Sequence, residues 1–177
     1  PSVRRRLIDQ LLSQVSPSYL QALSEYEKTM KQRNTLLRNI RNGLAKPQGL
    51  HVWDEKLSTL GAVITIDRLQ LFETLQLTIL RELKSLGESP KSAVFHYVRK
   101  STGTEAASLR EQLLEQFHHY RERDLQTLTT TVGPHRDDWT LTLDGRDITT
   151  FASRGQQRAA ILALLLLQAS FLELLKG

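Results

Sequence analysis

The chain has 177 residues, of which 40% are hydrophobic and 24% are charged, a composition typical of one globular domain or two small lobes. It has no cysteine, which excludes disulfides, zinc–thiolate sites and thiol catalysis and suits a reducing, cytoplasmic environment. The net charge of +5 is compatible with a polyanionic partner and equally with an inert basic surface. The longest apolar run, Ala159 to Leu167, is well short of the roughly 18 residues of a membrane span, so we expect no membrane partner.

A long helix is predicted to begin at Pro17 with Ser16 as its N-cap, because proline suits the first helical position and serine suits the cap. Apolar residues then recur at steps of four and three, which places them on one face of a helix. They are Leu23, Tyr26, Met30, Leu37, Ile40 and Leu44. Arg33 fills the one gap in this stripe, and Gly43 and Pro47 end the helix.

A second helical pattern carries another apolar stripe, again with one arginine, Arg68, on it. Its apolar members are Leu57, Leu60, Ile64, Leu71, Leu75, Ile79, Leu83 and Leu86. The short turn between the two patterns predicts an antiparallel helical hairpin, in which each helix covers the apolar face of the other. A buried guanidinium needs a carboxylate partner, and the turn returns Asp54 alongside Arg33, so we predict an Arg33–Asp54 ion pair as a structural contact.

The second half of the chain mixes short strand patterns with helices. In chain order we predict a strand over Ser92–Lys100, a helix over Glu105–Leu125, a threonine-rich strand over Thr127–Val132, a strand over Trp139–Leu143 that turns at Asp144-Gly145 into a hairpin, and a helix from near Ser153 to Leu175. The predicted fold class is α+β and mainly α, with a long antiparallel helical hairpin, further helices and a small β element.

The last helix begins with six polar or glycine residues, directly before its apolar run: Ser153, Arg154, Gly155, Gln156, Gln157 and Arg158. The first turn of a helix has unpaired N–H groups and the positive end of the helix dipole, both of which favour an anion. Glycine allows another group to approach the backbone closely. The pattern predicts a phosphate site, and the alternative is an ordinary N-cap followed by solvated polar residues.

The stretch FASRGQQR, preceded by TTTVGPHRDDWTLTLDGRDI, resembles the RecF family of bacterial recombination-repair proteins, in the SMC/Rad50-like branch of ABC-type ATPases. Three further stretches agree with that family in the same order: RRRLID, SPSYLQALSEYEKTMKQRNTLL and WDEKLSTLGAVI. The resemblance covers essentially the whole chain. It implies that residues 1–9 are the edge of an ATPase head, residues 10–126 a helical lid, and residues 127–177 a head segment with the signature motif.

The resemblance implies that Ser153, Gly155, Gln156 and Gln157 form the ABC signature motif, which caps the γ-phosphate of an ATP bound to the opposite subunit. Two heads would then close around two ATP molecules on DNA. For the intact protein the resemblance implies ATP and Mg²⁺ as cofactors, weak DNA-dependent ATPase activity, and an ATP-dependent dimer. It also implies sequence-independent binding to duplex DNA or gap junctions, RecR and RecO as partners, and roles in gap repair, DNA replication and the SOS response.

The resemblance also implies motifs that these residues do not contain. No G-x-x-x-x-G-K-[ST] phosphate loop occurs in the sequence. The family pattern places that loop before Pro1 and the magnesium-binding Walker B strand after Gly177. We therefore expect a fragment with no catalytic residues of its own, which holds no nucleotide or metal tightly and does not hydrolyse ATP.

The turn GPHRDD combines a histidine, an arginine and two carboxylates. One interpretation is a turn braced by an ion pair of Arg136 with Asp137 or Asp138. The other, which the resemblance implies, is dimer contact or ATP sensing, and the residues concerned are His135, Arg136, Arg154 and Arg158. No metal site is predicted, because the other histidines lack the spacing of metal ligands.

Six cations lie between Glu27 and Asp54 with no acid among them: Lys28, Lys31, Arg33, Arg38, Arg41 and Lys46. Lys31, Arg38 and Arg41, together with Asn34, share one face of the predicted helix. This face is either solvated or contacts the DNA backbone without reading sequence. Two rival interpretations of the whole chain are a helical coiled-coil interaction module with no nucleotide role and a helix-turn-helix regulator, although no compact three-helix unit is visible.

Overall fold

A computed structural model describes residues 3–174, with side chains described up to residue 166. It confirms a mainly helical α+β fold with a small antiparallel sheet. The elements are α1 Val3–Val15, α2 Pro17–Arg41, a 3₁₀ turn Pro47–Gly49, α3 Leu50–Ser85, β1 Ala93–Val98, α4 Ala106–His119, α5 Arg121–Thr127, β2 Asp138–Leu143, β3 Arg146–Asp147, α6 Ile148–Phe151 and α7 Arg154–Leu174. The predicted end of the last helix at Leu175 lies outside the described residues.

The described residues form two compact units that are interleaved in the sequence. The first unit contains residues 16–67 and 99–137, and the second contains residues 3–15, 68–98 and 138–174. The proposed division into head and lid at residues 10 and 127 stays a prediction, because compact packing does not by itself assign a segment to a larger assembly.

Helix α2 of the first unit begins and ends at the predicted residues. The Tyr19 N–H donates to Ser16 Oγ at 3.1 Å, and Pro17 occupies the first helical position. The helix ends at Arg41, and Gly43 follows with φ +73°, a left-handed conformation that glycine adopts without strain. The cap and the stop signal are therefore both confirmed.

The buried face of α2 is shifted by about one residue from the predicted stripe. It consists of Tyr19, Ala22, Tyr26, Thr29, Arg33 and Leu37. Leu44 is 77% exposed, because it lies in the turn beyond the helix end, where the helical period no longer orients it. The prediction was therefore wrong for Leu44, and three further members of the stripe are only half-buried: Leu23, Met30 and Ile40.

Two ion pairs join α2 to the first part of α3. Glu25 pairs with Lys56 at 2.9 Å and Arg33 pairs with Asp54 at 2.7 Å. The residue numbers rise along one helix as they fall along the other, which is the order of an antiparallel hairpin. In the same unit the buried apolar side chains of α3 and α4 include Leu50, Leu57, Ile64, Leu109, Leu113 and Phe117.

The structure contradicts two predictions for residues 105–132. The predicted helix is broken at Tyr120 into α4 and α5. Thr127, the first residue of the predicted strand Thr127–Val132, is the last residue of α5. Residues 128–132 are irregular backbone, because Leu128 ends α5 in a left-handed conformation with φ 57°. The side chains of Asn34 and Asp124 accept hydrogen bonds from the N–H and hydroxyl groups of Thr130 and Thr131.

The second unit contains the three-stranded sheet, in the order β1-β2-β3. Strands β1 and β2 are antiparallel, with Ala93 opposite Leu143 and Val98 opposite Asp138. Asp144 and Gly145 connect β2 to β3 with φ values of 50° and 76°, as a two-residue hairpin turn of type I′ requires. The predicted strands at 92–100 and 139–143 and the hairpin are confirmed.

The core of the second unit is built by α1, the second part of α3 and the sheet. Helix α1 was not predicted, although Ile8, Leu11 and Leu12 have helical spacing and are buried. Arg68, the second arginine on an apolar stripe, is buried and donates to Asp9 at 2.7 Å. Among the described residues, no helix has the length and apolar character needed to cross a membrane.

Candidate functional site

The start of α7 has the predicted capping geometry. The Gln156 N–H donates to Ser153 Oγ at 3.2 Å, and the Ser153 N–H donates to Gln156 Oε1 at 3.0 Å. These reciprocal bonds form a capping box. They satisfy the N–H group of Gln156, in the first turn, and the N–H group of Ser153, the cap residue. The local sequence therefore produces an ordered helix start with further N–H groups still directed outward.

The outer surface of this helix start is open. Ser153, Arg154, Gly155 and Arg158 are exposed. A Cβ atom added to Gly155 would have only Ser153 Oγ within 4 Å, at 3.7 Å, so another molecule could approach the backbone there. Within the part of the chain that the structure describes, neither Arg154 nor Arg158 has an ion-pair partner. This arrangement of donors and cations suits an anion.

The side chain of Gln157 bonds to the segment before α7, whereas the side-chain bonds of Ser153 and Gln156 lie within the cap. The Gln157 amide Nε2 donates to the carbonyls of Ile148 at 3.1 Å and Ala152 at 3.4 Å. Directly before α7, Asp147 caps α6 by accepting the Thr149 N–H at 2.7 Å. The hydrogen bonds from Thr149 lower the pKa of the Asp147 carboxyl group. The α6 segment and the start of α7 are thus held together by Gln157.

The GPHRDD turn is held by the carbonyl of Thr130. His135 Nε2 lies 3.0 Å from that oxygen, and Arg136 donates to it from Nε at 3.2 Å and Nη2 at 3.0 Å. Arg136 therefore donates to a backbone carbonyl and not, as one interpretation of the sequence predicted, to a neighbouring aspartate. Asp138 instead accepts from Arg4 at 2.5 Å, and this hydrogen bond raises the pKa of the Arg4 guanidinium.

The predicted Arg33–Asp54 pair is part of a larger buried cluster. Arg33 Nε donates to Asp54 Oδ1 at 2.7 Å, and Arg33 Nη1 donates to Asp124 Oδ2, also at 2.7 Å. All three side chains are 0% exposed. The Arg33 guanidinium also lies 5.3 Å from the Phe117 ring centre, within cation–π range. Asp124 was not predicted as a partner of Arg33, because no local pattern connects residues 91 positions apart.

The basic face of α2 is exposed at its three predicted DNA contacts, Lys31, Arg38 and Arg41. Arg38 donates to Thr35 Oγ1 at 2.9 Å and Arg41 to the Gln126 carbonyl at 3.2 Å, both neutral acceptors. No carboxylate of the described residues neutralises these three cations. Asn34, which was predicted on the same face, turns inward to Thr130 and does not belong to it.

The histidines do not form a metal centre with acidic residues in the region that the structure describes, where no three His, Asp or Glu side chains converge. His51 and His118 come together with ring centres 6.2 Å apart, although the sequence spacing gave no sign of it. His118 and His119 are both exposed on the last turn of α4.

The chain is similar along its length to curated proteins described as DNA replication and repair protein RecF. The protein from Alkaliphilus oremlandii is 34% identical over 180 residues, which is 100% of this chain and 48% of the relative. The protein from Geobacillus thermodenitrificans is 38% identical over 168 residues, or 93% of this chain and 45% of the relative. The chain thus spans about half the length of these relatives. No protein-family model matches it.

Two solved structures have the same fold as this chain. Both are described as the recombination mediator protein RecF in the RecFOR pathway, one as RecF-ATPrS and the other as RecF-ATP. Each aligns with a TM-score of 0.93 and 31% identity, over 100% of this chain and 48% of the solved chain.

Proposed function

This chain belongs to the RecF family, and on that premise we propose that it forms part of an ATP-dependent DNA-binding protein of recombinational gap repair. The role would extend to DNA replication and the SOS response, in the cytoplasm. Curated relatives at 34% and 38% identity support the DNA replication and repair role. Within this proposal, residues 10–126 are the helical lid and residues 1–9 and 127–177 belong to the ATPase head.

The open start of α7 is the observation that carries the proposed chemistry. Ser153 and Gly155 present an uncrowded helix N-terminus, and Arg154 and Arg158 add positive charge beside it. A γ-phosphate is an anion of the size that such a helix end binds. We therefore assign Ser153, Gly155 and Gln156 to contact with an ATP held by the opposite subunit, and Gln157 to fixing the helix start from within.

ATP and Mg²⁺ are the cofactors of the proposed intact protein. The residues of this chain fit one part of that site, the donor set facing the terminal phosphate. The phosphate loop and the acidic magnesium ligands would be supplied by other residues, since no such loop occurs in this sequence. ATP hydrolysis by these 177 residues alone is therefore not expected.

DNA and two proteins are the proposed partners. The exposed cations Lys31, Arg38 and Arg41 would contact phosphates of duplex DNA or a gap junction without reading the bases. RecR and RecO are proposed because the solved neighbours are placed in the RecFOR pathway. His135 and Arg136 are proposed to contact the dimer partner or to respond to ATP.

Replacement of Ser153 by arginine in the intact protein tests the assignment of the helix start. The larger side chain would fill the approach to Gly155, so ATP-driven dimerisation should be lost while ATP binding by the monomer stays within about twofold. Light scattering with and without ATP measures the dimer. Ser85→Arg, at an exposed serine of α3, is the matched control and should dimerise normally. A full dimer of Ser153→Arg in ATP would contradict the assignment.

A further inference from the structure

The QRN stretch of α2, residues 32–34, has no part in the proposed function so far, yet two of its side chains reach Thr130. Asn34 Oδ1 accepts the Thr130 N–H at 2.8 Å and the Thr130 hydroxyl at 2.7 Å. Arg33 Nη1 donates to the same hydroxyl oxygen at 3.0 Å. Thr130 is 0% exposed, so its N–H and hydroxyl groups depend on these protein partners rather than on solvent.

The carbonyl group of Thr130 holds the GPHRDD turn, residues 133–138, through His135 and Arg136. This carbonyl can only accept, so the N–H that faces it on His135 is Nε2–H. In the neutral ring Nδ1 is then an acceptor, and the hydroxyl of Tyr26, 2.9 Å away, donates to it. Arg136 shares the Thr130 carbonyl through two of its N–H groups. The orientations of both side chains therefore depend on where the Thr130 carbonyl lies. Asn34 acts on it through the N–H and hydroxyl of the same residue, and Asp124 through the N–H of the next residue, Thr131, at 2.9 Å.

Gly133 shows how closely the turn approaches α2. Its φ is +115°, and a Cβ atom there would collide with the Tyr26 hydroxyl group. A residue with a side chain would thus push the turn away from Tyr26 and from the inner face of α2. The contact between α2 and the turn is built by backbone conformation as well as by the hydrogen bonds of Asn34.

We propose that Asn34 is a positioning residue for His135 and Arg136, acting through Thr130. The proposal rests on the proposed role of this turn in dimer contact or ATP response. Arg33 also donates to Thr130, but it has a second role in neutralising two buried aspartates. The side-chain hydrogen bonds of Asn34 to described residues go to Thr130 alone. Asn34 lies on the same helix as the exposed cations Lys31 and Arg38, so the helix proposed to contact DNA is also the one that orients the turn.

Hydrogen exchange of two side-chain N–H groups in the intact protein tests this proposal. NMR with labelled histidine and arginine follows His135 Nε2–H and Arg136 Nε–H. In Asn34→Ala, Thr130 loses the acceptor of its N–H and of its hydroxyl, so its carbonyl should be held less firmly, and both groups should exchange about tenfold faster. Asn34→Asp retains an acceptor oxygen, so both groups should exchange as slowly as they do in the protein with Asn34. Gln32→Ala, an exposed neighbour in the same stretch, should leave both rates unchanged.

Unchanged exchange in a folded Asn34→Ala protein would overturn the proposal, as would a failure of Asn34→Asp to restore slow exchange. If Asn34→Ala does not fold, Asn34→Ser, which withdraws the long acceptor but remains polar, provides the same readout. ATP-driven dimerisation is measured on the same variants. Fast exchange with normal dimerisation would support the positioning by Asn34 and contradict the proposed role of the turn.

Discussion

The side chain of Gln76 pairs with the backbone of Phe95 as a neighbouring strand would. Its Oε1 accepts the Phe95 N–H at 2.8 Å, and its Nε2 donates to the Ala93 carbonyl at 2.6 Å. Strand β1 is at the edge of the sheet, with β2 on its other side. An edge strand presents unpaired N–H and carbonyl groups, and one glutamine of α3 satisfies two of them here.

Gln76→Glu should destabilise the protein by about 1–3 kcal/mol, because a carboxylate cannot donate to the Ala93 carbonyl and leaves it unsatisfied next to a charge. Urea unfolding followed by circular dichroism measures the loss. Gln70→Glu makes the same chemical change at an exposed position of the same helix and should have little effect. Equal stability of the two variants would show that the amide donor of Gln76 is not needed.

Arg33→Ala should cost about 3–5 kcal/mol, because it removes the shared cation of two fully buried carboxylates. Asp54 retains Arg121 at 3.1 Å, whereas Asp124 retains no cation among the described residues. Arg33→Met should be nearly as costly, since it restores volume but not charge. Combining Arg33→Met with Asp54→Asn and Asp124→Asn should recover part of the loss. Arg38→Ala, at an exposed position of α2, should be close to neutral in the same unfolding measurement.

Asp67→Asn should raise stability at neutral pH. Burial raises the pKa of the Asp67 carboxyl group above its ordinary value of 3.8. A carboxyl group with a higher pKa in the folded state binds its proton more tightly there, so its ionised form opposes folding at pH values above that raised pKa. The gain from asparagine should therefore shrink as the pH falls through the raised pKa and vanish below 3.8.

Thermal melts of both proteins across this pH range measure the difference for Asp67→Asn. Glu73→Gln makes the same type of change at an exposed position of α3 and is the matched control. A gain that persisted at acid pH would mean that charge is not its cause.

Charge reversal of Lys31, Arg38 and Arg41 to glutamate in the intact protein should weaken DNA binding of every sequence alike. Each phosphate contact contributes about 0.9 to the slope of log K against log salt, so the slope should flatten by about three. Fluorescence anisotropy with labelled duplex at several salt concentrations measures it. The control reverses three exposed cations of the second unit, Lys84, Lys91 and Arg146, and should keep the slope. An unchanged slope would instead favour a protein partner for α2.

Features that depend on neighbours in the chain could be predicted from the sequence. The cap of α2 at Ser16, the hairpin at Asp144-Gly145 and the cap of α7 at Ser153 each involve residues no more than about four positions apart. The helical period also placed Arg33 on a buried face. The same period failed at Leu44, because a helix that has ended no longer orients the side chains that follow.

Caps, turns and apolar periodicity act over a few residues, so the amino-acid order was enough to predict α2, α3, the hairpin and the polar start of α7, although not α1 or the break at Tyr120. The partners of Arg33 beyond Asp54 and the backbone of residues 128–132 depend on tertiary contacts instead. Threonine-rich sequence favours a strand, but here Asn34 and Asp124 bind the N–H and hydroxyl groups of Thr130 and Thr131. The Asn34 bonds span 96 residues, so no local pattern could reveal them, and together with the Asp124 bonds they outweigh the intrinsic preference of the segment.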